Sequence, residues 1–152
     1  DLDREAASSL SITVTATNGS GTSPGVSVTI NLNDVNDVTP VVTAAQSFNI
    51  NENLANSSVV GTVLATDGDV TSTTFSNWTL TSNPGGAFAI NSSTGQLTVA
   101  TSSYLDREAR SNVVVAVTVS DGTNTSAAQN VTINLNDLND VTPVVTAAQS
   151  FN

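Results

Sequence analysis

The chain has 152 residues, enough for one domain or slightly more. Thirteen Asp and Glu stand against three Arg, with no Lys and no His, for a net charge of -10; this excludes the basic patch that nucleic acid requires and disfavours anionic membrane surfaces. The absence of Cys excludes disulfides and thiolate metal sites. No apolar run approaches the roughly 20 residues that cross a bilayer, so no direct membrane insertion is expected, and targeting or anchoring signals are expected outside these residues.

Strand signals begin at once. Leu10, Ile12, Val14 and Ala16 alternate with Ser11, Thr13, Thr15 and Thr17, the period of a half-buried strand. Val28, Ile30 and Leu32 form the next. Further strands are predicted near 46–51, 58–66, 73–81, 87–90 and 95–99, parted by Asn83-Pro84-Gly85-Gly86 and Ser93-Thr94-Gly95. The last two follow Val113, Val115, Val117 and Val119, then Val131, Ile133 and Leu135. Trp78, between Asn77 and Thr79, reads as a packing residue in its strand in preference to a sugar-stacking platform. No segment carries a helical period.

The chain is repetitive. Residues 1–49 align without a gap onto residues 104–152, a period of 103, with 32 of the 49 pairs identical. The segment Asn36 to Asn49 recurs unchanged as Asn139 to Asn152. A period near 100 suits one β-sandwich per repeat, not a solenoid. Pro ends strands and stiffens exits, so boundaries are expected at Thr39-Pro40 and Thr142-Pro143. The reading is the end of one module (1–39), a complete module (40–142) and the start of a third (143–152). Seven strands per module give an all-β, Greek-key, Ig-like sandwich in tandem. Six N-x-S/T sequons, at Asn18, Asn56, Asn77, Asn91, Asn124 and Asn130, are what a Ser/Thr/Asn-rich composition produces by itself.

The acidic residues are clustered. Within the complete module they are Glu52; Asp67 and Asp69; Asp106 and Glu108; the lone Asp121; and Asp137 and Asp140. The preceding module adds Asp3, Glu5, Asp34 and Asp37, which leaves only Asp1 unassigned. Each cluster falls at a strand end or in a connection. An Asp-Gly pair such as Asp121-Gly122 is, alone, a plain turn, and a solvated acidic surface is the bland alternative for the rest. Neither explains the recurrence at one offset. Two unit charges about 4 Å apart repel by about 4 kcal/mol at an effective dielectric near 20, and three Arg cannot offset several such pairs. A hard divalent cation does. Carboxylates, Asn amides and backbone carbonyls are the ligands Ca²⁺ takes; Mg²⁺ keeps more water, and Zn²⁺ wants His or Cys. Arg107 is expected to brace Glu108 or a linker carboxylate. Catalysis lacks a His, Cys or Lys to act as base or nucleophile partner, so no enzyme is expected.

The motifs Glu52, Asp67-Gly68-Asp69, Leu105-Asp106-Arg107-Glu108, Asp121-Gly122 and Asp137-Leu138-Asn139-Asp140-Val141-Thr142-Pro143 come in the order and spacing of cadherin repeats. The chain resembles that family and its bacterial cadherin-like tandem relatives along its whole length. The resemblance implies modules joined end to end with up to three Ca²⁺ at each junction. It assigns to the first junction Asp3, Glu5, Asp34, the Val35 carbonyl, Asn36, Asp37 and the Val38 carbonyl, completed by Asp67, Asp69 and Asp121. To the second it assigns Glu52, Asp106, Glu108, Asp137, Asn139 and Asp140. Two departures stand out: Val38 and Val141 where the family often has Asn, and Asn18 where the repeat has Asp121, which implies weaker binding upstream. The resemblance further implies an extracellular, cell-surface protein whose partners are its own neighbouring modules. Stalk of an adhesin, homophilic contact between modules, binding of a cell-surface ligand, and subunit of a fibre of like chains remain as alternatives.

Overall fold

The computed structural model describes residues 2–70 and 74–145. Ahead of Pro40 lie β1 (Ser9–Val14), β2 (Thr17–Asn18), β3 (Gly21–Thr22) and β4 (Val26–Asn31). After it come β5 (Val41–Val42), β6 (Ser47–Asn51), β7 (Val59–Thr62), β8 (Ala65–Thr66), β9 (Ser76–Ser82), β10 (Phe88–Ile90), β11 (Gln96–Val99), β12 (Asn112–Ser120) and β13 (Gln129–Asn136). Two short 3-10 turns, Pro84–Gly86 and Ser102–Tyr104, are the only helical segments among the described residues. Among the described residues no helix is long and apolar enough to cross a membrane.

Two sheets face each other. One runs β6-β13-β12-β9, with β6 parallel to β13 and the other pairings antiparallel. The other runs β10-β11-β7. The alternating Val of β12 and the Val, Ile and Leu of β13 point inward by the period of two. Val115, Val117, Val119, Val131 and Ile133 are all completely buried, against Leu97, Val99, Phe88 and Val63 from the opposite layer. Each such side chain contributes roughly 1.5–3 kcal/mol of burial, an upper figure because the unfolded chain is already partly collapsed. Trp78 is buried in this core, and Phe75 meets it edge-on at 6.1 Å. A glycine is required beneath it: Gly95 has φ +70°, and a Cβ there would lie 2.9 Å from the indole.

The predicted strands 46–51, 87–90, 95–99, 113–119 and 131–135 appear within two residues of their expected bounds. The run 58–66 is one pass of chain but two strands. β7 pairs with β11, and β8 crosses to pair with β5, an element the sequence did not announce. At the crossing the Gln46 side chain takes the place of a ladder partner: its Oε1 accepts from the Leu64 N–H at 2.8 Å, and its Nε2 donates to the Leu64 carbonyl at 3.0 Å. The strand predicted over 73–81 begins at Ser76; residue 73 lies outside the described residues, as do Asp1 and the third-module residues from 146 onward.

The hairpin β1–β4 repeats the register of β12–β13 at the 103-residue offset. Leu10 faces Ile30 as Val113 faces Ile133, and Ile12 faces Val28 as Val115 faces Val131. Among the described residues a second sheet covers β12–β13 and none covers β1–β4. Ile12 is therefore 47% exposed, where its counterpart Val115 is fully buried.

Candidate metal centre

Strand ends and connections carry every acidic group of interest. At the first junction two triads form. Glu5, Asp34 and Asp69 each place a carboxylate oxygen within 4.8 Å of the others, and Asp67, Asp69 and Asp121 do the same. Asp69 belongs to both, so five carboxylates from four separate stretches of chain meet around it. The linker is fastened to this group by its backbone. Val38 N–H donates to both oxygens of Asp69, at 3.3 and 3.2 Å, and Asp37 N–H to one at 3.4 Å. The Asn36 amide donates to the Asp121 carbonyl at 3.3 Å, and the Asn124 amide to the Val38 carbonyl at 3.5 Å. Val38 packs its methyls over Gly68, where a Cβ would approach to 3.2 Å; the Gly of Asp67-Gly68-Asp69 makes room for the linker.

The electrostatics are uneven. Burial raises the Glu5 carboxyl above its ordinary value; a backbone hydrogen bond opposes this, and a hydrogen bond to Asp34 and the charges of Asp34 and Asp37 push it higher. Asp121 goes the other way. Burial alone would raise it, but N–H donors of Asn124 and Thr123, at 2.6 and 2.7 Å, and the Asn36 amide outweigh burial and hold it low. Asp67 accepts from the Asp69 N–H through Oδ1 at 3.2 Å, while its Oδ2 is buried with no hydrogen-bond donor. A buried carboxylate oxygen facing other carboxylates calls for a cation. The donor set is all oxygen, without His or Cys, and fits Ca²⁺.

At the second junction Glu52, Glu108 and Asp137 form the third triad, again within 4.8 Å. Glu52 is its anchor and is 1% exposed. Its Oε2 accepts from Arg107 N–H and its Oε1 from Leu138 N–H, both at 2.6 Å, so one side chain ties the Leu105-Asp106-Arg107-Glu108 loop to the linker. Arg107 thus acts on this group through its backbone. Its neighbour Arg110 stacks 3.8 Å over the Tyr104 ring and donates to the Tyr104 carbonyl. At Glu108 a backbone hydrogen bond lowers the carboxyl, but burial, a hydrogen bond with Asp137 and the charges of Glu52 and Asp137 raise it overall.

Other predicted ligands sit beside these triads. Asp3 Oδ1 accepts from the N–H groups of Glu5 and Ala6 at 3.0 Å, and Asp106 Oδ1 from Ala109 N–H at 2.8 Å; both close the turn that presents the following Glu. Asp37 lines the first junction's cavity of about 480 Å³ with Asp3, Glu5 and Val35. Asp140 accepts from the Asn53 amide, and Asn139 is exposed. Three amides escaped the sequence reading: Gln46 at the strand crossing, Asn124 on the first linker and Asn53 on the second. The positive φ of Asn53, +56°, marks it in the structure, but Asn abounds in this sequence and its spacing gave no signal.

The cadherin-domain family model matches residues 46–136. The chain is 41% identical over 117 residues to human protocadherin Fat 4, spanning 76% of this chain and 2% of that protein. It is 34% identical over 124 residues to Drosophila melanogaster cadherin-87A, spanning 78% of this chain and 6% of that protein. Among solved structures it superposes on protocadherin gamma B7 extracellular cadherin domains 1–4 with a TM-score of 0.70 at 25% identity, over 91% of this chain and 34% of that one. Mouse cadherin-23, EC22-24, gives a TM-score of 0.67 at 28% identity, over 91% and 46%. The chain is thus a small part of the length of the curated relatives it matches. A Greek-key sandwich, a family match over residues 46–136 and relatives above 30% identity agree: this chain is no enzyme and belongs to the cadherin family.

Proposed function

We propose that this chain is a stretch of an extracellular adhesion protein whose modules, 1–39, 40–142 and 143–152, are locked into a rod by Ca²⁺ at their junctions. The observation that carries the reading is Asp69, a carboxylate common to two triads that draws ligands from both sides of Pro40. At the first junction Asp3, Glu5, Asp34, Asn36, Asp37, Asp67, Asp69 and Asp121, with the Val35 and Val38 carbonyls, would hold the ions. At the second the ligands are Glu52, Asp106, Glu108, Asp137, Asn139 and Asp140. Bound calcium supplies charge neutralisation there.

The chain's own residues do the rest. The linker N–H groups of Asp37 and Val38 orient Asp69, the N–H groups of Thr123 and Asn124 keep Asp121 ionised, and Pro40 limits the bend between modules. Without a cation the carboxylates repel across the junction and the linker flexes. Extracellular calcium modules bind in the range of about 10⁻⁴–10⁻³ M, which matches the outside of a cell. The unchanged recurrence of residues 36–49 as 139–152 favours a second reading, in which like chains of such repeats build a fibre. A thermal melt with calcium and with chelator tests the first. An unchanged midpoint overturns it, and concentration-dependent fibres in electron micrographs would select the second.

A further inference from the structure

We infer that Asn18 is a deamidation site, and that its conversion supplies the carboxylate which the sequence places one repeat later at Asp121. Asn18-Gly19 is the Asn-Gly pair of this chain, and at the 103-residue offset it aligns with Asp121-Gly122. The two turns are built alike. Ser20 N–H donates to Asn18 Oδ1 at 2.9 Å, as Thr123 N–H donates to Asp121 Oδ1 at 2.7 Å. Asn18 closes the β2–β3 hairpin opposite Gly21.

The chemistry follows from the pair and its surroundings. The Gly19 amide nitrogen attacks Asn18 Cγ. The new C–N bond closes a five-membered imide, the Cγ–Nδ2 bond breaks, and ammonia leaves with the proton that Gly19 gave up. Water then opens the imide. Addition at Cγ yields Asp, and addition at the backbone carbonyl yields isoaspartate. No oxidant or reductant is needed. Gly19 has no side chain to block the approach, and nothing lies within 4 Å of where a Cβ would sit. Asn18 is exposed, so water reaches the imide.

Its twin lacks the reactive group: Asp121 carries a carboxylate, a far poorer electrophile than an amide. The other candidates are also less open. Ser follows both Asn56 and Asn91 in the chain, and its side chain crowds the attacking nitrogen where Gly19 leaves it open. Deamidation therefore adds one negative charge at the turn where the repeat carries Asp121. That the charge acts on calcium there rests on the proposed function; the modification itself does not.

The test is intact-mass and peptide-map spectrometry of the purified chain, aged in mildly alkaline buffer with and without calcium. The expected result is a gain equal to water minus ammonia, mapped to Asn18 before any other asparagine, with isoaspartate present and with the gain abolished in Asn18→Gln. An Asn18 that stays intact while Asn56 or Asn91 deamidates would overturn the inference. So would an Asn18 that reacts in the urea-unfolded chain and not in the folded one. Loss of calcium-dependent melting with Asn18 chemistry intact would count against the proposed function alone.

Discussion

The two linkers are the same sequence in two settings. Residues 36–49 and 139–152 are identical, and the first is described with the sandwich that follows it, the second with the sandwich that precedes it. At the first linker Val38 N–H reaches across to Asp69, and Asn124 reaches back to the Val38 carbonyl. At the second, Asp140 is held by Asn53 of its own module, and its N–H donates to the Leu138 carbonyl at 2.8 Å. A linker therefore has two sets of partners. The upstream set, built on a buried Glu such as Glu52, comes with the module. The cross-junction set exists only where Asp67, Asp69, Asp121 and Asn124 of a following module are in place.

Breaking the upstream set should cost most. Glu52→Ala leaves the N–H groups of Arg107 and Leu138 without their acceptor, each at about 1–3 kcal/mol. Chemical denaturation in chelator should show this loss at constant m-value; a midpoint equal to the parent's would mean that the linker does not depend on Glu52.

Removing charge from the cross-junction set should cost stability only when calcium is present. Asp69→Asn keeps an acceptor for the Val38 N–H and removes the charge common to two triads. At calcium near a hundred times its dissociation constant, the parent gains about 2.7 kcal/mol, a midpoint shift on the order of 10 °C. The variant should lose most of that shift and melt like the parent in chelator. Retention of the full calcium shift would separate Asp69 from binding.

Asn124→Ala is milder, removing one amide from the Val38 carbonyl at about 0.5–1.5 kcal/mol. It should loosen the first linker and leave the second unchanged, read by backbone relaxation at Val38 and Val141. Equal changes at both would contradict the division into two sets.

The smallest effect is with pH. Glu5 and Glu108 have raised folded values, so the stability from their protonation is present below the ordinary 4.5 and is lost as pH rises through those raised values. Asp121 is lowered, so its contribution is present above the ordinary 3.8 and is lost as pH falls through its depressed value. In chelator, stability should therefore decline as pH rises from the ordinary 4.5 through the raised Glu values and level off above them. Saturating calcium should abolish that decline, because it neutralises the ionised glutamates. A decline of equal size with and without calcium would assign it to other groups.

The same division explains what could be read in advance. The register of β12–β13 and its earlier copy β1–β4 follows from alternation and turn residues, which are local. So does the supply of carboxylates at strand ends. The sequence could not say that 58–66 would break, because its Val59, Val60 and Val63 suit either partner, and the Gln46 side chain that pairs with Leu64 at the crossing comes from 18 residues away. It could not rank the acids either. Asp3 and Asp106 look like ligands by type and spacing, but each is also well placed to close its own turn, and there it accepts backbone N–H groups.

By itself, then, the sequence determined the sandwich, the period of 103 and an oxygen-only ligand inventory, since each depends on residue type and short spacing. Only the tertiary structure decided that Asp69 joins two triads and that Glu52 pins the linker. Those outcomes rest on distances between segments 30 to 90 residues apart, such as Val38 with Asp69 and Glu52 with Leu138. Only packing two sheets and docking a linker across their end sets such distances.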